Sequence, residues 1–130
     1  MLDLLLDQLA RARGIGDAYH NCHGELKHFS RDTKAAILVA MGCRVGDAES
    51  VQDELARFEA ERWATLLPPV AVLRGQRQDV RINIAEDAHG SMLEWRIELA
   101  GGGRQDGRVR ASELPETERH TLDGRVWTSR

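Results

Sequence analysis

Two consecutive prolines at Pro68-Pro69 constrain this chain more than any other feature, because neither carries a backbone donor and each pushes the preceding residue out of helical geometry. The hydrophobic period differs on the two sides of them. Before them apolar residues recur at helical spacing; after them they alternate with polar ones, as half-buried strands require. The pattern predicts an α+β chain with about three helices in residues 1–67 and a small antiparallel β-sandwich-like domain in residues 68–130.

On the helical side, Leu2, Leu5, Leu6 and Leu9 fall at i, i+3, i+4 and i+7, so they line one face of a first helix that Gly14 ends. Residues 15–29 read as an ordered loop whose Ile15, Tyr19, Leu26 and Phe29 pack onto the neighbouring helices. Ser30 is suited to cap a second helix, Asp32 complements the dipole of its first turn, and Gly42 supplies the stop. Its expected inner positions are Ile37, Ala40 and Met41. Asp47 caps a third helix with Val51, Leu55 and Phe58 along one side, and with Asp53, Glu54, Arg57, Glu59, Glu61 and Arg62 on a solvated outer face.

On the strand side, Val70-Ala71-Val72-Leu73 reads as a short apolar strand, and Val80, Ile82 and Ile84 alternate with Arg81 and Asn83. Leu93, Trp95, Ile97 and Leu99 alternate with Glu94, Arg96 and Glu98. Val109 and Ala111 hint at a further strand. Asp123-Gly124 between residues 119–122 and 125–128 is a two-residue hairpin signal. Turn-rich pieces at 75–78, 86–90 and 101–103 leave no room for crossover helices, so the sheet is expected to be antiparallel. Trp127-Thr128-Ser129-Arg130 sits inside an apparent strand, which predicts a β domain cut at its C-terminal edge. An open edge of that kind templates association, so a homodimer through edge pairing is expected.

Composition excludes some partners. A net charge of −3 gives no overall attraction to phosphate backbones or anionic lipid, so neither nucleic acid nor membrane is an expected partner. The apolar opening, residues 1–7, is interrupted by Asp3 and Asp7 and lacks a basic leader, which disfavours a signal peptide or spanning helix. A cytoplasmic location with reduced Cys22 and Cys43 follows as the expectation.

Candidate chemistry is sparse. His20, Cys22, His23 and His28 carry metal-ligand donors but not the paired spacing of a closed zinc site, so they read as loop residues. Cys22 beside His23 lacks the geometry of a nucleophile and its base, and no Gly-x-Ser-x-Gly elbow is present. The glycines at 14 and 16 and at 101–103 lack the strand and helix context of a phosphate loop. Indole faces stack on sugar rings, which makes the tryptophans candidate sugar contacts: Trp95 reads as core, Trp63 as packing at the helix-to-sheet junction, and Trp127 as the exposed indole. No catalytic, cofactor-binding or metal-binding residue is assigned.

One ordered combination carries a family likeness. Arg13-Gly14-Ile15 near the first helix, Tyr19, Gly24, Ser30-x-x-Thr33-Lys34 and Leu38-x-Ala40-Met41-Gly42, spanning about residues 8 to 43, resembles the amino-terminal signature of bacterial 4-alpha-glucanotransferases, also called amylomaltases or disproportionating enzymes. The resemblance implies a parent that cleaves an α-1,4-glucosidic bond of a maltooligosaccharide and transfers the segment to another, with retention. It also implies a β-sandwich ahead of a (β/α)8 barrel that holds an aspartate nucleophile and a glutamate acid/base. None of those barrel motifs occurs here. The fragment is therefore expected to be inactive, its partner being the barrel of the same parent chain. The alternative is a free-standing protein- or carbohydrate-binding module with no catalytic parent.

Overall fold

The computed structural model describes residues 1–76 and 79–130. These form two compact units, residues 1–60 and 61–130. Of the turn expected at 75–78, Arg77 and Gln78 lie outside the described residues.

The first unit holds α1 (Leu2–Ala12), a hairpin of β1 (Ala18–His20) and β2 (Leu26–His28), α2 (Arg31–Ala40), and most of α3, which runs Ala48–Ala64 and ends in the second unit. The expected leucine face of α1 is its inner face. Leu6, Leu9 and Ala10 join Leu38, Cys43 and Val51 in one buried cluster, with Leu2, Leu5, Ile15, Ala35, Val45 and Leu55 packed against it.

Both helix stops are built alike. After α1, Gly14 takes φ +83°, its N–H donates to the Arg11 carbonyl at 3.0 Å, and the Ile15 N–H donates to the Ala10 carbonyl at 2.8 Å. After α2, Gly42 takes φ +86°, with Gly42 N–H to Val39 O and Cys43 N–H to Leu38 O both at 2.9 Å. Each is a Schellman motif, and each turns the residue after its glycine toward the core. The starts are capped as expected: Ser30 Oγ accepts from the Thr33 N–H at 3.1 Å, and Asp47 Oδ1 from the Ser50 N–H at 2.7 Å.

Three expectations for this unit are corrected. Residues 15–29 are packed only in part: Ile15 lies against the core cluster as expected, but the segment contains the β1–β2 hairpin, whose Tyr19 and Leu26 are exposed, with Tyr19 5.1 Å from Phe29 between ring centroids. In α2 the inner positions are Lys34 and Leu38; Ile37, Ala40 and Met41 face outward. The face is rotated because Lys34 meets two partly exposed carboxylates, Asp7 and Asp17, which lets a cation occupy an inner position. In α3, Glu54 is not on the solvated face but is buried, again through partners described below.

The second unit contains a three-stranded antiparallel sheet in the order β3 (Asn83–Ala85), β7 (Arg125–Ser129), β6 (Glu118–Leu122), and a separate antiparallel ribbon of β4 (Met92–Glu98) and β5 (Arg104–Arg110). The Asp123-Gly124 signal gives the expected hairpin: φ is +48° and +76° at these residues, and Leu122 pairs with Arg125. Mutual backbone bonds between Ile82 and Arg130, at 2.8 and 2.9 Å, extend the β3–β7 ladder by one pair. Ile84, Ala85, Ala111, Thr128 and Ser129 are buried here, as is Trp63 in the last turn of α3.

Two strand-side expectations are also corrected. Residues 70–73 form no strand, and Val70 and Val72 are among the most exposed apolar residues. Their composition suits a strand, but a strand exists only with a neighbour to bond, and they have none among the described residues. Trp95 is not core: it lies 43% exposed on the ribbon.

Candidate functional site

Four groups of side chains have the chemistry to form a site. The first is the hairpin tip. Asn21 organises it: Oδ1 accepts from the backbone N–H groups of His23 and Glu25, both at 2.9 Å, while Nδ2 donates to Glu25 Oε2 at 2.9 Å. Gly24 at φ +78° completes the turn. Cys22 and His23 are thereby held outward at the tip. The strand register sets His20 opposite Leu26 and His28 opposite Ala18, so the two histidines share a face of the hairpin on a diagonal and are not directly opposite each other. Among the described residues no group of three or more His, Cys, Asp or Glu side chains is placed to hold a metal ion.

The second group surrounds Lys34. Its Nζ donates to Asp7 Oδ1 of α1 and to Asp17 Oδ1 of the following loop, both at 2.8 Å, and Arg11 Nε donates to Asp17 Oδ2 at 3.1 Å. The Lys34 hydrogen bond, then that of Arg11, holds the Asp17 carboxyl below its usual range, and Asp17 followed by Asp7 raises the Lys34 ammonium above its own. The cluster ties α1 to α2.

The third group is centred on Glu54, 1% exposed. Its Oε1 accepts from the Arg44 N–H at 3.2 Å and its Oε2 from Arg57 Nη2 at 2.6 Å. The backbone N–H of Arg44 is the chief cause that keeps this carboxyl below its usual range despite burial. The acid thus anchors the turn between α2 and α3.

A glycosidic acid catalyst needs a raised pKa. Every described carboxyl with a resolved shift moves the other way: Asp17, Glu25, Asp47, Glu54 and Glu116 are all lowered by donors. These acids are built to stay ionised and bonded. That is a structural use.

The fourth group is aromatic. The Trp63 indole stacks on the His120 ring of β6 at 5.4 Å and 8°. Trp127 is partly buried in β7, with the Arg125 guanidinium 5.0 Å above its ring. Trp95 lies across Gly107, its cross-strand partner: a Cβ added at Gly107 would come within 2.6 Å of the indole. A shallow cleft of about 360 Å³ runs along this part of the ribbon, lined by Glu94, Trp95, Arg96, Asp106, Gly107 and Arg108. Alternation alone gives β4 an apolar side without revealing whether anything covers it, so the exposure of Trp95 had no sequence signal.

No helix among the described residues is long and apolar enough to cross a membrane. Comparison with protein-family models matches residues 66–130 to the MalQ N-terminal beta sandwich domain. Among solved structures, the crystal structure of amylomaltase from Corynebacterium glutamicum is similar, with 25% sequence identity and a TM-score of 0.62 over 97% of this chain. The chain spans 18% of that amylomaltase. Comparison with curated proteins gave no match.

Proposed function

Because the chain belongs to the MalQ N-terminal beta sandwich domain family, we propose that it is the non-catalytic N-terminal domain of a 4-alpha-glucanotransferase. One observation carries the proposal: a single amylomaltase is similar across both units of this chain, helical and β alike, while most of that enzyme lies outside the likeness. In the parent, an α-1,4-glucosidic bond of a maltooligosaccharide is cleaved, the donor O4 takes a proton, and the segment is joined through its C1 to the 4-hydroxyl of an acceptor. Retention of configuration calls for two carboxyls about 5 Å apart, one as nucleophile and one as acid/base. The lowered carboxyls described above are unsuited to the second role.

The proposal assigns residues 1–67 to a helical region and 68–130 to the sandwich-like domain, and it places the protein in the cytoplasm, where the exposed, unpaired Cys22 suits a reducing compartment. The C-terminal strand β7 is paired on both sides and is not the open edge expected of it, so the homodimer of the fragment that the proposal includes would pair through β3 or β6, the outer strands of their sheet. Sedimentation that is independent of concentration would remove that part alone.

The deciding experiment incubates maltotriose with this chain and, separately, with the protein encoded by the reading frame continued past Arg130. The expected result is no reaction with the first and a ladder of maltooligosaccharides with the second. Disproportionation by the 130-residue chain, or a stop codon after Arg130, would sink the reading in favour of a free-standing module.

A further inference from the structure

The two faces of the β4–β5 ribbon differ in kind. On one, Glu94 and Arg108 pair at 3.0 Å, Arg104 and Asp106 at 3.3 Å, and Arg96 stands opposite Asp106. That face is made for water. The other carries Leu93, Trp95 and Ile97 on β4, continued by Leu99 in the turn, over Val109, Gly107 and Gln105 on β5. Leu93 and Val109, near the base, are partly buried. Toward the tip the cover runs out: Trp95, Ile97 and Leu99 are 43, 49 and 53% exposed.

This apolar strip is also fixed by close contacts and by hydrogen bonds at both ends of the ribbon. The indole is seated on Gly107, and the Leu99 side chain comes within 3.0 Å of the Cβ position of Gly103. At the tip the Leu99 N–H donates to the Gly103 carbonyl at 2.7 Å, and at the base Arg110 Nη1 donates to the Gly90 carbonyl at 2.7 Å. A two-stranded ribbon is marginal in water by itself, and it gains most when its apolar face is covered.

Area decides what covers it. The exposed parts of these three side chains amount to on the order of 300 Å², short of the roughly 450 Å² of apolar surface within the about 800 Å² per partner of a stable free complex. A second copy or a separate protein would therefore bind weakly here. A partner on the same polypeptide needs far less, because tethering supplies an effective concentration in the millimolar range. On the indole's own face its β4 neighbours Leu93 and Ile97 are aliphatic and Gln105 is the one amide, while Glu94, Arg96, Asp106 and Arg108 belong to the opposite face, so a glucan strand would find few hydrogen-bonding groups there.

We propose that the Trp95–Ile97–Leu99 strip is the docking surface for polypeptide that follows Arg130, the catalytic portion of the longer enzyme. This rests on the family reading above, and on the four-fifths of the similar amylomaltase that lies outside the likeness.

The test uses thiol labelling in a Cys22→Ser background, with Cys43 buried. Ile97→Cys reports the apolar face and Arg96→Cys the charged one; Leu99→Cys serves if Ile97→Cys fails to fold by circular dichroism. In the protein continued past Arg130, maleimide labelling at position 97 is expected to slow about tenfold or more relative to the 130-residue chain, with position 96 nearly unchanged. Equal labelling at both positions in the longer protein would overturn the docking. Protection that appears in the short chain as its concentration rises would assign the strip to a second copy instead. Protection of the short chain by maltoheptaose would assign it to glucan. Maltotriose turnover separates the two readings: an active longer protein with position 97 unprotected sinks the docking alone, whereas protection without turnover supports the docking and sinks the enzyme.

Discussion

Trp63 and Trp95 are the same residue in opposite circumstances, and the contrast divides the molecule. Trp63 is sealed and stacked on His120; Trp95 lies on an uncovered ribbon, propped by a glycine. Around Trp63 the chain has closed its apolar surface, whereas around Trp95 it has ordered that surface without closing it. An apolar side chain stabilises the isolated chain in full in the first situation and only in part in the second. In the second it stores a contact for later use.

The contrast is broken most sharply at its two poles. Trp63→Ala is expected to cost about 3–5 kcal/mol in chemical denaturation, the range for emptying a large aromatic site. Should Trp63→Ala and Trp95→Ala cost the same, the contrast is void. Next in size is Glu54→Gln, expected to lose about 2 kcal/mol because a buried charge-assisted bond from Arg57 is removed. A loss within error there would mean the acid is solvated after all. Gly42→Ala follows at about 1–2 kcal/mol, a purely conformational cost, since an added Cβ at φ +86° meets nothing within 4 Å. A thermal melt that does not move would show that the helix stop relaxes freely.

Acid stability probes the closed regions by another route. The Asp17 carboxyl is lowered in the folded state from an ordinary value of 3.8, so the stability it contributes is present above that pH and is lost as pH falls through the folded value. The Lys34 ammonium is raised from 10.5, so its contribution is present below that pH and lost in stronger base. Melting temperature is therefore expected to fall below about pH 4, and Lys34→Met should flatten that fall. An unchanged acid limb in Lys34→Met would show that Asp17 does not depend on the lysine. The smallest effects belong to the ribbon. Trp95→Ala should cost about 1 kcal/mol or less, and Gly107→Ala should displace the indole and shift its emission with a similarly small change in stability. A large loss from either would mean the ribbon face is already core.

What could be read from the sequence was whatever neighbouring residues decide among themselves. Gly14 and Gly42 as helix stops, Ser30 and Asp47 as caps, and Asp123-Gly124 as a turn need only local backbone chemistry. The inward positions of Lys34 and Glu54 were not legible because they depend on partners elsewhere: Asp7 is 27 residues from Lys34, and Arg44 is 10 from Glu54. Residues 70–73 have strand composition but no ladder to join. The alternation of β4 was visible, yet periodicity describes the two sides of a strand and is silent on what lies over them. For the same reason the ribbon strip emerged only once burial was known, while the family likeness, an ordered set of short-range features, was legible in advance.

The central place of β7 sets a timetable for synthesis. Its bond with β6 closes across two residues, but its bond with β3 joins Thr128 to Ile84, 44 positions apart. At the roughly 5–20 residues per second of a translating ribosome, β3 waits about 2–9 seconds for its mate. Residues 1–60 have been made before β3 begins. A nascent chain of this kind thus carries an unmatched strand for seconds, and the β6–β7 hairpin, complete within moments of its own synthesis, arrives ready-made to receive it.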